Sequence, residues 1–121
     1  MTRTEELNKV VRSLQMSSPE IEACALISED SLMIASALPQ HIEEGSVSGI
    51  SATLHGLGSR AAQELERGKM DQVLVHGEEG YVVMSNASEG TVLLVIANED
   101  AKLGLVFLDM KRAVEYIKKV I

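Results

Sequence analysis

Three histidines, one cysteine and the acidic pairs Glu43-Glu44 and Glu78-Glu79 are the groups in this chain to weigh first for catalysis or metal binding. His41, His55 and His76 are far apart, and no pair of them has the close spacing that a zinc site uses. Only Cys24 is available to supply a thiolate. It lies among Ala23, Ala25 and Leu26 with no cationic neighbour, the pattern of a buried structural thiol rather than a nucleophile. Glu43-Glu44 and Glu78-Glu79 fall in loop-like stretches and read as solvated turn charges, not as an acid/base pair. Gly56-Leu57-Gly58-Ser59-Arg60-Ala61 matches the spacing G-x-G-x-x-A of a dinucleotide-binding turn. That turn needs a strand before it and a helix opening at the glycines, so that free amides face the pyrophosphate. Here the spacing falls inside a helical pattern, where those amides are already bonded. There is no glycine loop ending in Lys-Ser or Lys-Thr. The expectation is a non-enzymatic chain with no cofactor and no metal.

The elements that position these residues follow from periodicity and turn chemistry. Thr2 with Glu5 forms a capping box ahead of Leu7, Val10, Val11 and Leu14, predicting a helix from about Thr2 to Met16. Ser17-Ser18-Pro19 ends it. Ile21 to Ser28 and Leu32 to Leu38 read as a hairpin around Ser28-Glu29-Asp30-Ser31. Leu38 to Gly45, with Pro39, is a loop. A long helix is predicted over Ser46 to Arg67, with Val47, Ile50, Leu54, Leu57, Ala61 and Leu65 as its core face and Gly68 as its C-terminal glycine. Met70 to His76, Tyr81 to Asn86 and Thr91 to Ala97 read as strands, separated by Glu78-Glu79-Gly80 and Ser88-Glu89-Gly90. Asn98-Glu99-Asp100 is expected to cap a last helix bearing Leu103, Val106, Phe107, Met110, Ala113, Val114, Ile117 and Ile121. The order is helix, two strands, helix, three strands, helix. Short turns make neighbouring strands antiparallel, and Val92 to Ala97, apolar on both faces, needs cover on both sides. The fold class is α+β, an α/β sandwich in one domain over residues 1–121.

Composition narrows the function further. Forty-five per cent hydrophobic residues over 121 positions suffice for a core. The longest apolar run, Val92 to Ala97, is too short to cross a bilayer. The first residues carry Arg3, Glu5, Glu6, Lys9 and Arg12, with no secretory apolar segment, and one cysteine cannot close an intrachain disulfide; a reducing cytoplasm is expected. Eleven basic against eighteen acidic residues give −7, which opposes a phosphate backbone or an anionic lipid surface. With no Trp, one Phe and two Tyr there is little to stack on bases. Neither nucleic-acid binding nor direct membrane insertion is expected.

The small residues of the middle helix need a reason, because Gly49, Gly56 and Gly58 each cost about 1 kcal/mol against alanine in a helix interior. One reason is tight contact with the helix's own sheet. The other is a smooth surface that lets another backbone approach. The strand Met70 to His76 is apolar on both faces, Val73 and Val75 on one and Leu74 on the other. If it is a sheet edge, it invites pairing with a second chain.

The ordered set of these pieces resembles the Roadblock/dynein light chain domains, in a form like the bacterial or archaeal GTPase regulators. The likeness spans nearly the whole chain. It rests on Ala23-Cys24-Ala25-Leu26-Ile27-Ser28-Glu29-Asp30-Ser31-Leu32-Met33-Ile34-Ala35-Ser36 as the opening hairpin and on Ile50 to Ala62 as the small-residue helix. Asp71 to Val75, Gly80 to Val83, Leu93 to Ala97 and Leu103 to Val106 complete it. Ser31 stands where the family usually has a turn glycine. The resemblance implies a five-stranded antiparallel sheet with the middle helix on one face and the terminal helices on the other. It also implies a homodimer joined through the strand Met70 to His76 and the glycine-bearing helices, with Gly49, Thr53, Gly56, Met70, Gln72, Leu74 and His76 at the seam. A small Ras-like GTPase is the implied partner, docking near Ser48, His55, Ser59, Arg60 and Gln63. The implied role is regulation or scaffolding, including activation that positions the GTPase's own catalytic groups. The alternatives are a small-ligand sensor domain and a structural subunit of a motor or signalling complex. Charged groups buried between helix and sheet would favour the sensor.

Overall fold

The computed structural model describes residues 1–121 as three helices and five strands. In chain order these are α1 (Arg3–Met16), β1 (Ile21–Ser28), β2 (Met33–Ala37), α2 (Glu44–Glu64), β3 (Gln72–Gly77), β4 (Gly80–Ser88), β5 (Thr91–Asn98) and α3 (Leu103–Val120). The strands form one antiparallel sheet in the order β2-β1-β5-β4-β3. β5, the strand that is apolar on both faces, lies at its centre. Leu93 and Val95 point into one core with Leu7, Val11 and Leu14 of α1 and Val106, Met110 and Ile117 of α3. Val92 and Leu94 point into a smaller core with Val47 of α2, Ala25, Ile27 and Met84. The α+β architecture, with the middle helix on one face and the terminal helices on the other, is the one the sequence implied.

Local chemistry explains most of the boundaries. The Thr2 hydroxyl oxygen accepts from the Glu5 amide at 3.2 Å and donates to the Glu5 carboxylate at 3.0 Å, starting α1. Gly80, at φ +144°, closes the β3–β4 turn where a Cβ would come within 2.1 Å of the Ala97 carbonyl oxygen, so only glycine fits. Asn86 is held in the sheet, its side-chain amide donating to the Met70 carbonyl at 2.6 Å.

Several boundary expectations need correction. α2 opens at Glu44 rather than Ser46, so Glu44 and Gly45 are helical and not part of the loop. β3 begins at Gln72 rather than Met70, although Met70 and Asp71 still accept hydrogen bonds from Asn86 through their carbonyls. β2 is shorter than Leu32 to Leu38, and Leu32 is exposed. α2 ends at Glu64, before Arg67, in a turn with Glu66 at φ +59°. The Glu66 amide bonds the Gln63 carbonyl and the Arg67 amide bonds the Ala62 carbonyl, the double bond of a Schellman ending, so the left-handed position falls to Glu66 and not Gly68. Asn98 does not cap α3; its side-chain oxygen accepts from the Asp100 amide at 3.0 Å in a local turn, and Lys102 occupies the cap position without a side-chain bond.

The larger correction concerns the face that α2 turns inward. Val47, Ser48 and Ser51 are buried, and Leu54, Gly58 and Ala62 continue that stripe against the sheet. Ile50, Leu57, Ala61 and Leu65, expected in the core, face outward, Leu57 at 62% exposure. Small residues won the inner stripe because they let the helix lie close to the sheet.

Candidate interaction surface on the middle helix and edge strand

The outward stripe of α2 combines large apolar side chains with gaps. Ile50, Leu57 and Leu65 are exposed, and ideal Cβ atoms at Gly49 and Gly56 would meet nothing within 4 Å. Gly58 behaves oppositely: a Cβ there would lie 2.7 Å from Cγ2 of Val73 and 3.5 Å from Cγ of Met70. The two reasons for glycine therefore divide between positions. Gly58 serves the contact of α2 with β3 beneath it. Gly49 and Gly56 serve nothing within the protomer.

β3 borders this stripe and is an edge, since no strand lies beyond it. Gln72, Leu74, Val75 and His76 are exposed. The His76 ring stacks on Tyr81 of β4, centroids 4.4 Å apart. No proline, and no Lys or Arg within Gln72–Gly77, blunts the edge. Of the residues expected at a dimer seam, Gly49, Thr53, Gly56, Gln72, Leu74 and His76 are exposed. Met70 is not: at 6% exposure it packs beneath α2, pulled inward by the space that Gly58 leaves.

The residues expected to meet a partner separate as well. Ser48 is 8% exposed and its hydroxyl donates to the Glu44 carbonyl at 3.1 Å, so it faces the sheet and not solvent. Arg60 is exposed and pairs with Glu64 at 3.4 Å. His55, Ser59 and Gln63 come together along the flank of α2, lining a polar groove of about 770 Å³ with Lys69 and Asp71. Its far wall is formed by the β4–β5 turn and by Glu29, whose carboxylate lies 3.6 Å from the His55 ring.

No group of three or more His, Cys, Asp or Glu side chains is placed to hold a metal ion. Cys24 is fully buried in the opposite core, and burial pushes its thiol up to about 12, far from thiolate reactivity. Gly56 to Ala61 lie within α2, so their amides serve the helix and offer no phosphate cradle. The groups between α2 and the sheet are apolar or small, with no buried charge among them. Sequence reasoning missed the exposed Ile50–Leu57–Leu65 row. The signal for it was the competing stripe Val47, Ser51, Leu54, Gly58 and Ala62, whose small members suit close approach to a sheet.

Comparison with known proteins agrees with this geometry. Residues 7–97 match the Roadblock/LC7 domain. The protein MJ1340 of Methanocaldococcus jannaschii is 35% identical over 98 residues, covering 81% of this chain and 85% of its own, and MJ0310 of the same organism is 34% identical over the same shares. Among solved structures, Myxococcus xanthus MglB superposes with a TM-score of 0.88 at 22% identity, over 97% of this chain and 88% of that one. A Roadblock/LC7 domain from Streptomyces avermitilis gives 0.87 at 21%, over 93% and 94%. The sheet order, the small-residue middle helix, the match over most of the chain and relatives above 30% identity point the same way: this chain belongs to the Roadblock/LC7 family.

Proposed function

We propose that the chain is a non-enzymatic homodimeric regulator or scaffold for a small Ras-like GTPase, including activation through positioning of the GTPase's own catalytic groups. The observation that carries the reading is the outward face of α2. It exposes Ile50, Leu57 and Leu65 beside open glycines and continues onto an unblunted edge strand. Exposed apolar groups gathered on one surface mark an interaction site. A second copy meeting it along β3 would extend the sheet and bring the glycine-bearing helices together. The flanking groove with His55, Ser59 and Gln63, and Arg60 nearby, would then frame the pair and offer polar contacts to a partner. The Roadblock resemblance supplies the kind of partner. Switch segments of such GTPases are ordered by the γ-phosphate, so a regulator that touches them prefers the triphosphate state.

The test is binding of a purified Ras-like GTPase, encoded beside or co-purified with this chain, loaded with GDP or with a non-hydrolysable GTP analogue. A preference of about tenfold for the triphosphate state, about 1.4 kcal/mol of differential contact, is expected, with loss in Arg60→Glu and His55→Glu. Equal affinity for both states would assign a passive scaffold. Unchanged binding by both substituted proteins would move the site off α2. A ligand sensor finds no support in the α2–sheet interface, because no charged group is buried there.

A further inference from the structure

The net charge of −7 conceals an uneven distribution. α1 and α3 together carry seven basic side chains (Arg3, Lys9, Arg12, Lys111, Arg112, Lys118 and Lys119) against four acidic ones (Glu5, Glu6, Asp109 and Glu115). The layer they form is +3, which leaves −10 for the rest of the chain. Of the seven basic side chains, Lys118 also lines the polar groove beside α2, and Glu20, Glu99 and Asp100 flank the layer where α1 ends and α3 begins. At physiological salt the screening length of about 8 Å lets the local sign prevail.

The same layer collects exposed apolar groups. Outside the α2–β3 surface, every large exposed hydrophobic residue except Leu32 lies on or beside α1 or α3: Met1, Met16, Leu105, Leu108, Tyr116 and Ile121. The two helices run antiparallel. The Ser17 hydroxyl meets the Asp109 carboxylate at 3.4 Å at one end, and Met1 lines the inter-helix cleft with Tyr116 and Val120 at the other. The cleft, of about 530 Å³, includes neither Met16 nor Leu105 nor Leu108 among its walls. A helix seated in the cleft would leave these three uncovered, whereas a plane laid across both helices reaches them.

We propose that the outer face of α1 and α3 docks peripherally on an anionic lipid bilayer. Leu105, Leu108 and Met16 would enter the headgroup boundary, as the apolar side of an interfacial helix does, and Tyr116 would keep its hydroxyl at the polar level. Lys111, Arg112 and Lys119 would bury their stems and reach lipid phosphates with their charged ends. No helix is long and apolar enough to cross a membrane, so the contact is a surface one. Dimerisation through β3 would strengthen it. An antiparallel edge-to-edge pairing of identical strands places the two-fold axis normal to the sheet, so both basic layers share one side, opposite the paired α2 helices. That doubling rests on the proposed dimer; the docking face of one protomer does not.

The experiment is co-sedimentation of the full chain with phosphatidylcholine vesicles containing about one-third phosphatidylglycerol, and with pure phosphatidylcholine vesicles. Partition onto the anionic vesicles should be at least about tenfold stronger and should fall about tenfold between ~0.1 M and ~0.5 M salt. Leu105→Glu with Leu108→Glu, and separately Arg112→Glu with Lys119→Glu, should each lower it by about tenfold or more. All four positions are exposed. Arg112→Gln with Lys119→Gln, which removes charge without reversing it, should give a smaller loss in the same direction. Leu57→Glu, on the other side of the sheet, separates the two readings: a monomeric variant that keeps its preference for anionic vesicles supports the docking face whatever becomes of the dimer. Equal partition onto both vesicles, no partition, or indifference to the α3 substitutions would overturn the proposal. So would uptake of an acidic helical peptide by a chain that ignores vesicles, which would assign the face to a protein partner.

Discussion

Ser31 sits at φ +70°, in the left-handed region, at the tip of the β1–β2 turn. The turn is otherwise well made. The Ser28 hydroxyl donates to the Asp30 carboxylate at 2.6 Å, and its oxygen accepts from the Leu32 amide at 3.0 Å. The bond from Ser28, followed by the backbone amide of Asp30, holds the Asp30 carboxyl below its usual range. Ser31 therefore keeps a conformation costing about 1–2 kcal/mol for an L-residue, and its side chain makes no hydrogen bond in return. Ser31→Gly should stabilise the fold by about 0.5–1 kcal/mol, the relief being partly offset by glycine's greater freedom when unfolded. Urea denaturation of the two proteins checks this, and a less stable glycine variant would refute it. Cys24 gives a residue-scale prediction of the opposite kind. Its thiol, raised by burial to about 12, keeps its proton in the fold while an unfolded thiol ionises near pH 9. The proton-linked stability is thus complete below the ordinary thiol range and is lost as pH rises from about 9 to about 12, by up to about 1.4 kcal/mol per pH unit. Cys24→Ala lacks this dependence and loses a roughly constant amount for the missing sulfur. The stability gap between wild type and Cys24→Ala should therefore narrow as denaturation is followed from pH 8 to pH 10, conditions chosen to straddle the ordinary thiol range.

At the scale of elements, α2 holds the clearest lesson. Its existence, its place in the order and its glycines are legible in the sequence, because apolar and small residues recur along its length. Which stripe faces the sheet is not legible, because two candidate stripes run side by side. Hydrophobicity favours Ile50, Leu57 and Leu65 as the inner face. Distance of approach decides for Ser51, Gly58 and Ala62, since the side chains of Met70 and Val73 already fill the space under the helix. A surface meant for a second chain defeats hydrophobic periodicity, because its exposed face is as apolar as its buried one. The early end of α2 was hidden for another reason: Glu66 takes a left-handed position that sequence reasoning reserves for glycine. The two kinds of helical glycine predict different losses. Gly58→Ala drives a methyl to within 2.7 Å of Val73 and should destabilise the protomer by about 1–3 kcal/mol, read as a lower urea midpoint. Gly56→Leu meets open space, so any fall in monomer stability should be absent or small. Instead it should weaken self-association, read by light scattering as a shift towards monomer. The same phenotype from both substitutions would mean that the glycines do not divide between sheet contact and outer surface.

For the whole molecule, the sheet separates two unequal layers. One side carries the larger core under α1 and α3, and the other carries a smaller core under α2 alone. α2 touches the sheet mainly through small side chains, so its burial contributes less than that of the terminal helices. An isolated protomer should then be weakest at α2 and β3, where its apolar groups are also most exposed. Covering that face with a second copy would remove Leu57, Leu65 and Val75 from water and would pair the free edge. Folding would thereby be coupled to association, and stability would follow protein concentration by mass action. The expected outcome is a melting temperature that rises with concentration across the micromolar range. Each tenfold increase above a folded-dimer dissociation constant adds up to about 1.4 kcal/mol per mole of dimer unfolded. Leu57→Glu places a carboxylate in the seam while leaving the protomer's own cores untouched, and it should flatten the dependence without abolishing the fold. Differential scanning calorimetry over a hundredfold range of concentration makes the measurement. A wild-type melting temperature independent of concentration, together with monomeric light scattering at tens of micromolar, would show that the exposed face of α2 serves a different partner from a second copy of this chain.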